Sequence, residues 1–214
     1  MVTQVKKTSR EVAYGLHLMV RPFSGYWDLK HEKRGSFTAA VVIVLLLLLV
    51  VMAEYQFLGY FFMRRMVREN VNLLIELAQI AIPYALWVVS NWCLTTLMDG
   101  EGSMRDVAIA TAYALVPMIV FNIPAIIISN FLALDEYAFM SILQNIGIFW
   151  SGVLIFASVV VTHQYTVPKT IITIILSVLG MVLLLFLSML ITSIMQQIIT
   201  FFVAVYREAQ YRLL

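Results

Sequence analysis

Residues 45–51 are apolar at every position, inside a stretch, 37–53, that holds nothing more polar than Thr38. A membrane-spanning strand alternates in polarity along about ten residues, so this run excludes a β-barrel. About 20 such residues, wound as a helix, cross about 30 Å of hydrocarbon. The run therefore demands a bilayer, and composition extends that demand to the rest of the chain. Hydrophobic residues make up 62% of it and charged residues 12%, with mean hydropathy +0.93. A soluble domain carries roughly a quarter charged residues.

Further spans are predicted at 71–98, 107–132 and 137–161, with the first at 37–62. The last apolar stretch, 170–205, would be about 54 Å long as a helix, too long for one crossing and too short for two with a turn. It is read as one span, 170–193, followed by a helical tail that emerges or bends near Gln196 and Gln197. The expected fold is all-α: a polytopic five-transmembrane-helix bundle over 37–214, preceded by a short amphipathic segment, 1–36. The first long apolar run begins near Phe37 and flows into a full span, so no cleaved signal is expected.

Basic residues in short loops set orientation. With the N-terminus inside, Lys6, Lys7, Arg10, Arg21, Lys30, Lys33, Arg34, Arg105 and Lys169 lie inside, and Arg64, Arg65, Arg68, Arg207 and Arg212 outside. That excess predicts a cytoplasmic N-terminus and an external C-terminus. A net charge of +2 gives no nucleic-acid footprint. The single cysteine, Cys93, excludes an intrachain disulfide framework.

In the N-terminal segment, Val12, Leu16, Met19, Val20 and Phe23 recur at helical spacing and predict one apolar face. Phe23, Tyr26 and Trp27 then precede Lys30, Lys33 and Arg34. Aromatic residues beside cations just before a span suit the headgroup layer, and these six are the candidate contact for a partner or a lipid surface.

Ionisable and polar residues within spans are candidates for an ion or proton site. Glu54 and Glu76 fall near one membrane face with Arg64, Arg65 and Arg68 between them, and Gln79, Asn122 and Gln144 complete the set. Pro117 and Pro124 flank Asn122 in the third span, a pattern of broken helices that can line a path. Gly147 and Ser151, and likewise Ser188 and Thr192, are small residues at helical spacing, candidates for close helix packing. Ser103 followed by Asp106 predicts a capping box that starts the third helix. No Walker A, Gly-x-Ser-x-Gly or His-Glu-x-x-His sequence occurs, and His17, His31 and His163 lack ligand spacing. Neither enzyme chemistry, a metal nor a cofactor is expected.

Four pieces occur in order: residues 22–28 (Pro-Phe-Ser-Gly-Tyr-Trp-Asp), 91–94 (Asn-Trp-Cys-Leu), 99–102 (Asp-Gly-Glu-Gly) and 112–117 (Ala-Tyr-Ala-Leu-Val-Pro). With five tightly spaced spans, they make the chain resemble the Yip family of Ypt/Rab-interacting integral membrane proteins, its bacterial-type branch in particular, over roughly 20–195. Asp99, Gly100, Gly102, Tyr113 and Pro117 are the motif positions. The resemblance implies the five-helix fold, a cytoplasmic N-terminus and, through the bacterial-type branch, a bacterial cytoplasmic membrane; eukaryotic members bind prenylated Rab GTPases in vesicle traffic. Here the tail is short, and residues 24–28 do not reproduce the eukaryotic Asp-Leu-Tyr-Gly-Pro element. The expected function is thus a membrane-embedded adaptor or organiser that binds a membrane protein partner or a second copy of itself. The alternative is a small permease using a polar, proline-broken path through the second to fourth helices.

Overall fold

The computed structural model describes residues 2–57, 72–132 and 136–213. All regular elements among these are helical: α1 (Val2–Val20), α2 (Pro22–His31), α3 (Phe37–Phe57), α4 (Leu73–Leu97), α5 (Met104–Ala114), α6 (Val116–Ser129), α7 (Tyr137–His163) and α8 (Val167–Leu213). Five segments are long and apolar enough to cross a membrane: α3, α4, α5 with α6, α7 and α8. The protein is an all-α polytopic membrane bundle. Arg64, Arg65 and Arg68 lie outside the described residues.

Local chemistry sets the boundaries. The Ser36 hydroxyl accepts from the backbone N–H of Ala39 at 3.2 Å and starts α3. Asn72 accepts from Leu74 N–H at 2.9 Å and starts α4. Ser103 and Asp106 form the expected capping box, each side chain meeting the other residue's backbone N–H. The third apolar stretch breaks at Leu115, because Pro117 has no N–H to continue the ladder and sits instead in the first turn of α6. Pro124 lies within α6.

Helix α3 buries Ala39, Ala40, Ile43, Leu47 and Val50 along one stripe and leaves Val41, Leu45 and Leu49 to the outside. Its inner face packs on α5 and α6, which pack on α7. Tyr113 and Leu154 are fully buried at the centre, and Leu18 and Tyr26 of the N-terminal helices belong to the same core. Gly147 lets α7 approach α6 closely: a Cβ there would lie 3.1 Å from Phe121 Cβ and 3.4 Å from the Pro117 carbonyl.

Helix α8 stands at the edge, packed mainly on α4. Thr170, Thr173 and Ser177 are fully buried against that neighbour. Only 6% of the apolar span of α8 is buried, against 50% for α5 with α6 and for α7. The helix runs 47 residues, about 70 Å, unbroken through Gln196 and Gln197. Glutamine is a good helix former, and nothing there withdraws a backbone donor.

Candidate functional site

Two features at one end of the bundle collect most of the polar side chains: a junction of helix ends and a helical hairpin, α1–α2, docked beside it.

At the junction, α4 and α7 end while α5 and α8 begin. Helix C-termini leave carbonyls without intrahelical donors. Tyr165 supplies its hydroxyl to the carbonyls of Thr95 at 3.2 Å and Met98 at 3.0 Å. Lys169 donates to Met98 O at 2.7 Å, and its ammonium lies 4.2 Å from the Tyr165 ring centroid. Lys30 donates to Thr162 O at 3.0 Å, which closes the end of α7, and also reaches Glu101 at 3.2 Å. Cations at helix C-termini also meet a favourable dipole.

His163 is the keystone, 2% exposed. Its Nδ1 accepts from the Gly102 N–H at 3.3 Å, which places the ring proton on Nε2, 3.3 Å from Asn91 Oδ1. Asn91 Nδ2 donates to Ser177 Oγ at 3.1 Å, and Ser90 Oγ donates to Ser177 O at 2.7 Å. One continuous chain of bonds thus ties the turn after α4 to α7, α4 and α8. The motif glycines are required by this ring. A Cβ at Gly100 or at Gly102 would lie 2.7 Å from an atom of His163. Asp99 takes the left-handed backbone (φ 56°) that turns the chain there. The gap among Asn91, Val107, Thr162 and His163 has a volume of about 0 Å³, and the one among Tyr26, Lys30, Asp106 and Thr162 about 10 Å³. A water needs roughly 10–15 Å³, so the first gap has no room for one, while the second is about the size of a single water.

The hairpin is stitched to the bundle along its length. Tyr113 OH donates to Glu11 O at 2.9 Å, Tyr26 OH to Ala110 O at 3.3 Å, and Trp150 Nε1 to Met19 O at 3.1 Å. Gly15 permits the approach of α1 to α6, since a Cβ there would meet Val116 Cγ2 at 2.8 Å. Within the hairpin, Tyr14 OH donates to Asp28 Oδ2 at 3.1 Å. Burial and that bond push the Tyr14 hydroxyl up to about 12. Burial likewise raises Tyr26 well above the usual tyrosine range. Lys30 meets α7 at Thr162 and Met19 meets it at Trp150, twelve positions and about 18 Å deeper. The tip of the hairpin therefore reaches the middle of the bundle.

Of the five residues that the spacing puts on one apolar face, the hairpin turns Leu16, Val20 and Phe23 outward and half-buries Val12 and Met19. Glu11, Gly15 and Leu18 point inward from α1, whereas Leu16 and Val20 are 53% and 79% exposed. Phe23 and Trp27 are exposed, Trp27 stacked on His31 at 3.9 Å between centroids. Tyr26 is not a surface residue: it is 1% exposed and bonded to α5. Lys30 is likewise engaged with α7, while Lys33 and Arg34 are exposed.

The proposed intramembrane set is only partly brought together. Gln144 Nε2 donates to Glu54 Oε1 at 2.6 Å, joining α7 to α3 at the far end. Glu76 is buried on α4, Gln79 is exposed and Asn122 half-buried. The second small-residue pair packs nothing among the described residues: Ser188 and Thr192 are exposed and bond their own helix's carbonyls. The first pair faces α6 of the same chain, with Ser151 Oγ buried and without a hydrogen-bond partner there. Sequence reasoning missed His163 and the Asn91–Ser177 link, although the motif pieces at 91–94 and 99–102 mark two of the three sides around the ring.

Comparison with known proteins agrees with this architecture. The Yip1 domain family matches residues 16–204, which takes in half of the hairpin, the junction and the length of the bundle. No curated protein and no solved structure matches the chain.

Proposed function

The chain belongs to the Yip1 domain family, and from that premise we propose that it is a non-enzymatic adaptor that binds a membrane protein partner through its N-terminal hairpin. One observation carries the reading. Leu16 and Val20 on α1, and Phe23 and Trp27 on α2, each pair a step of four along its own helix, are exposed apolar residues that both helices of the hairpin turn outward. The opposite face is fixed by Tyr26, Tyr113 and Trp150. A rigid aromatic surface loses little conformational freedom on binding, and aromatic residues dominate binding hot spots. This outward surface runs from the headgroup level inward, so it suits the membrane-embedded part of a partner. The loop-charge excess supports a cytoplasmic side for the end of the bundle from which the hairpin enters, and the resemblance to the bacterial-type branch supports a bacterial inner membrane.

The permease reading has no comparable support. Gln144 is tied to Glu54, and Gln79 faces outward.

The test is mild-detergent purification of the full chain from native membranes, with mass spectrometry of stoichiometric copurifying proteins. Wild type is expected to retain a partner that F23A/W27A loses at unchanged thermal stability. Tyr26 is left intact because its removal would disturb the core. Recovery of the same proteins by the double variant, or of none by wild type, contradicts the reading.

A further inference from the structure

A second surface on the hairpin carries a separate inference, independent of the partner surface. Beside the first turns of α1, the α2–α3 connection closes a cleft of about 500 Å³. Five cations line it: Lys6, Lys7, Arg10, Lys33 and Arg34. Its two acids are already engaged. Glu11 accepts from Ser36 Oγ at 2.5 Å and lies 3.8 Å from Lys7, and Glu32 holds Arg34 at 2.6 Å. Arg34 is fixed further by Asp28 at 4.0 Å. Among the described residues Lys6, Arg10 and Lys33 have no ion pair, although they converge on one space.

We propose that this cleft binds a phosphate-bearing anion with more than one negative charge. Its volume lies in the range of small-ligand sites. Ionised donors on several sides match a phosphate's oxygens, and cations at a membrane surface draw anionic headgroups. The cleft opens beside Ser36, at the start of α3, which is the level of headgroups. Unpaired like charges held together repel one another, and a multivalent anion relieves that repulsion. A lipid headgroup and a free phosphorylated metabolite share this chemistry, and the test separates them.

Full-length protein is exchanged into mixed micelles of phosphatidylcholine with phosphatidic acid, a monoester, or with phosphatidylglycerol, a diester. Retained lipid is read by native mass spectrometry. Wild type is expected to retain phosphatidic acid above phosphatidylglycerol and phosphatidylcholine. K6Q/R10Q/K33Q is expected to bind it on the order of a hundredfold more weakly, from about tenfold or less per cation. K6R/K33R is expected to keep binding, and melting of each variant to match wild type, since these side chains are exposed. Retention by the triple variant equal to wild type, or no preference among lipids, overturns the proposal. Competition by glycerol 3-phosphate assigns the site to a soluble phosphate; retention despite it assigns the lipid, and either outcome supports the phosphate site.

Discussion

Gly100 and Gly102 matter because of what lies beside them. A methyl group at Gly100 would press on His163, the Tyr165 hydroxyl and, at 2.9 Å, the Thr95 carbonyl; the last is backbone and cannot swing away. G100A is expected to destabilise the protein by about 1–3 kcal/mol, the usual cost of overpacking. Gly152, on the exposed side of α7, has nothing within 4 Å of an added Cβ, so G152A is expected to raise stability by about 0.5–1 kcal/mol through helix propensity. Thermal unfolding of the two variants checks both signs; equal melting would contradict the junction. Tyr14 gives a pH prediction. Its hydroxyl is raised from 10.0 to about 12, so the protonated form is the one that folding stabilises. Its contribution is fully present below about pH 10 and is lost as pH rises through about 12. The phenolate absorbance difference between wild type and Y14F should show its step near the upper value, and a step at the ordinary tyrosine pKa would count against the Asp28 contact.

Among elements, the α6–α7 contact is the one that small residues make possible. G147L/S151L is expected to lower thermal stability by at least about 1–3 kcal/mol while leaving the oligomeric state, read by crosslinking, unchanged, because the neighbour is α6 of the same chain. S188L/T192L should stay within about 0.5 kcal/mol of wild type, since those side chains face away from the bundle. Sequence alone ranks the two pairs equally. It reaches the apolar spans and the Ser103 cap because both are local: one depends on a run of residues, the other on a side chain and a backbone three positions away. It does not reach Glu54–Gln144 or Asn91–His163, 90 and 72 positions apart, because hydropathy carries no pairing information. What lies against the inner face of α1 is hidden for a related reason. Gly15 has no side chain where Val116 of α6 approaches, a fact about the neighbour rather than about α1. Helix α8 continues through Gln196 and Gln197 because both are polar without being helix breakers.

For the whole molecule, the N-terminal helices are a wall of the bundle rather than a leash. They share its core, close the end of α7 through Lys30, and hold an exposed apolar surface and a basic cleft at fixed positions. Both proposed interactions depend on that seating. The most direct test places single spin labels in the full chain reconstituted in vesicles, with Cys93→Ser as background. A label at Val20, beside the Met19–Trp150 bond, should collide freely with oxygen and poorly with a water-soluble nickel chelate, as hydrocarbon-buried sites do. A label at Lys33 should show the reverse. If Val20 proves as open to the chelate as Lys33, the hairpin does not enter the bilayer and the account fails.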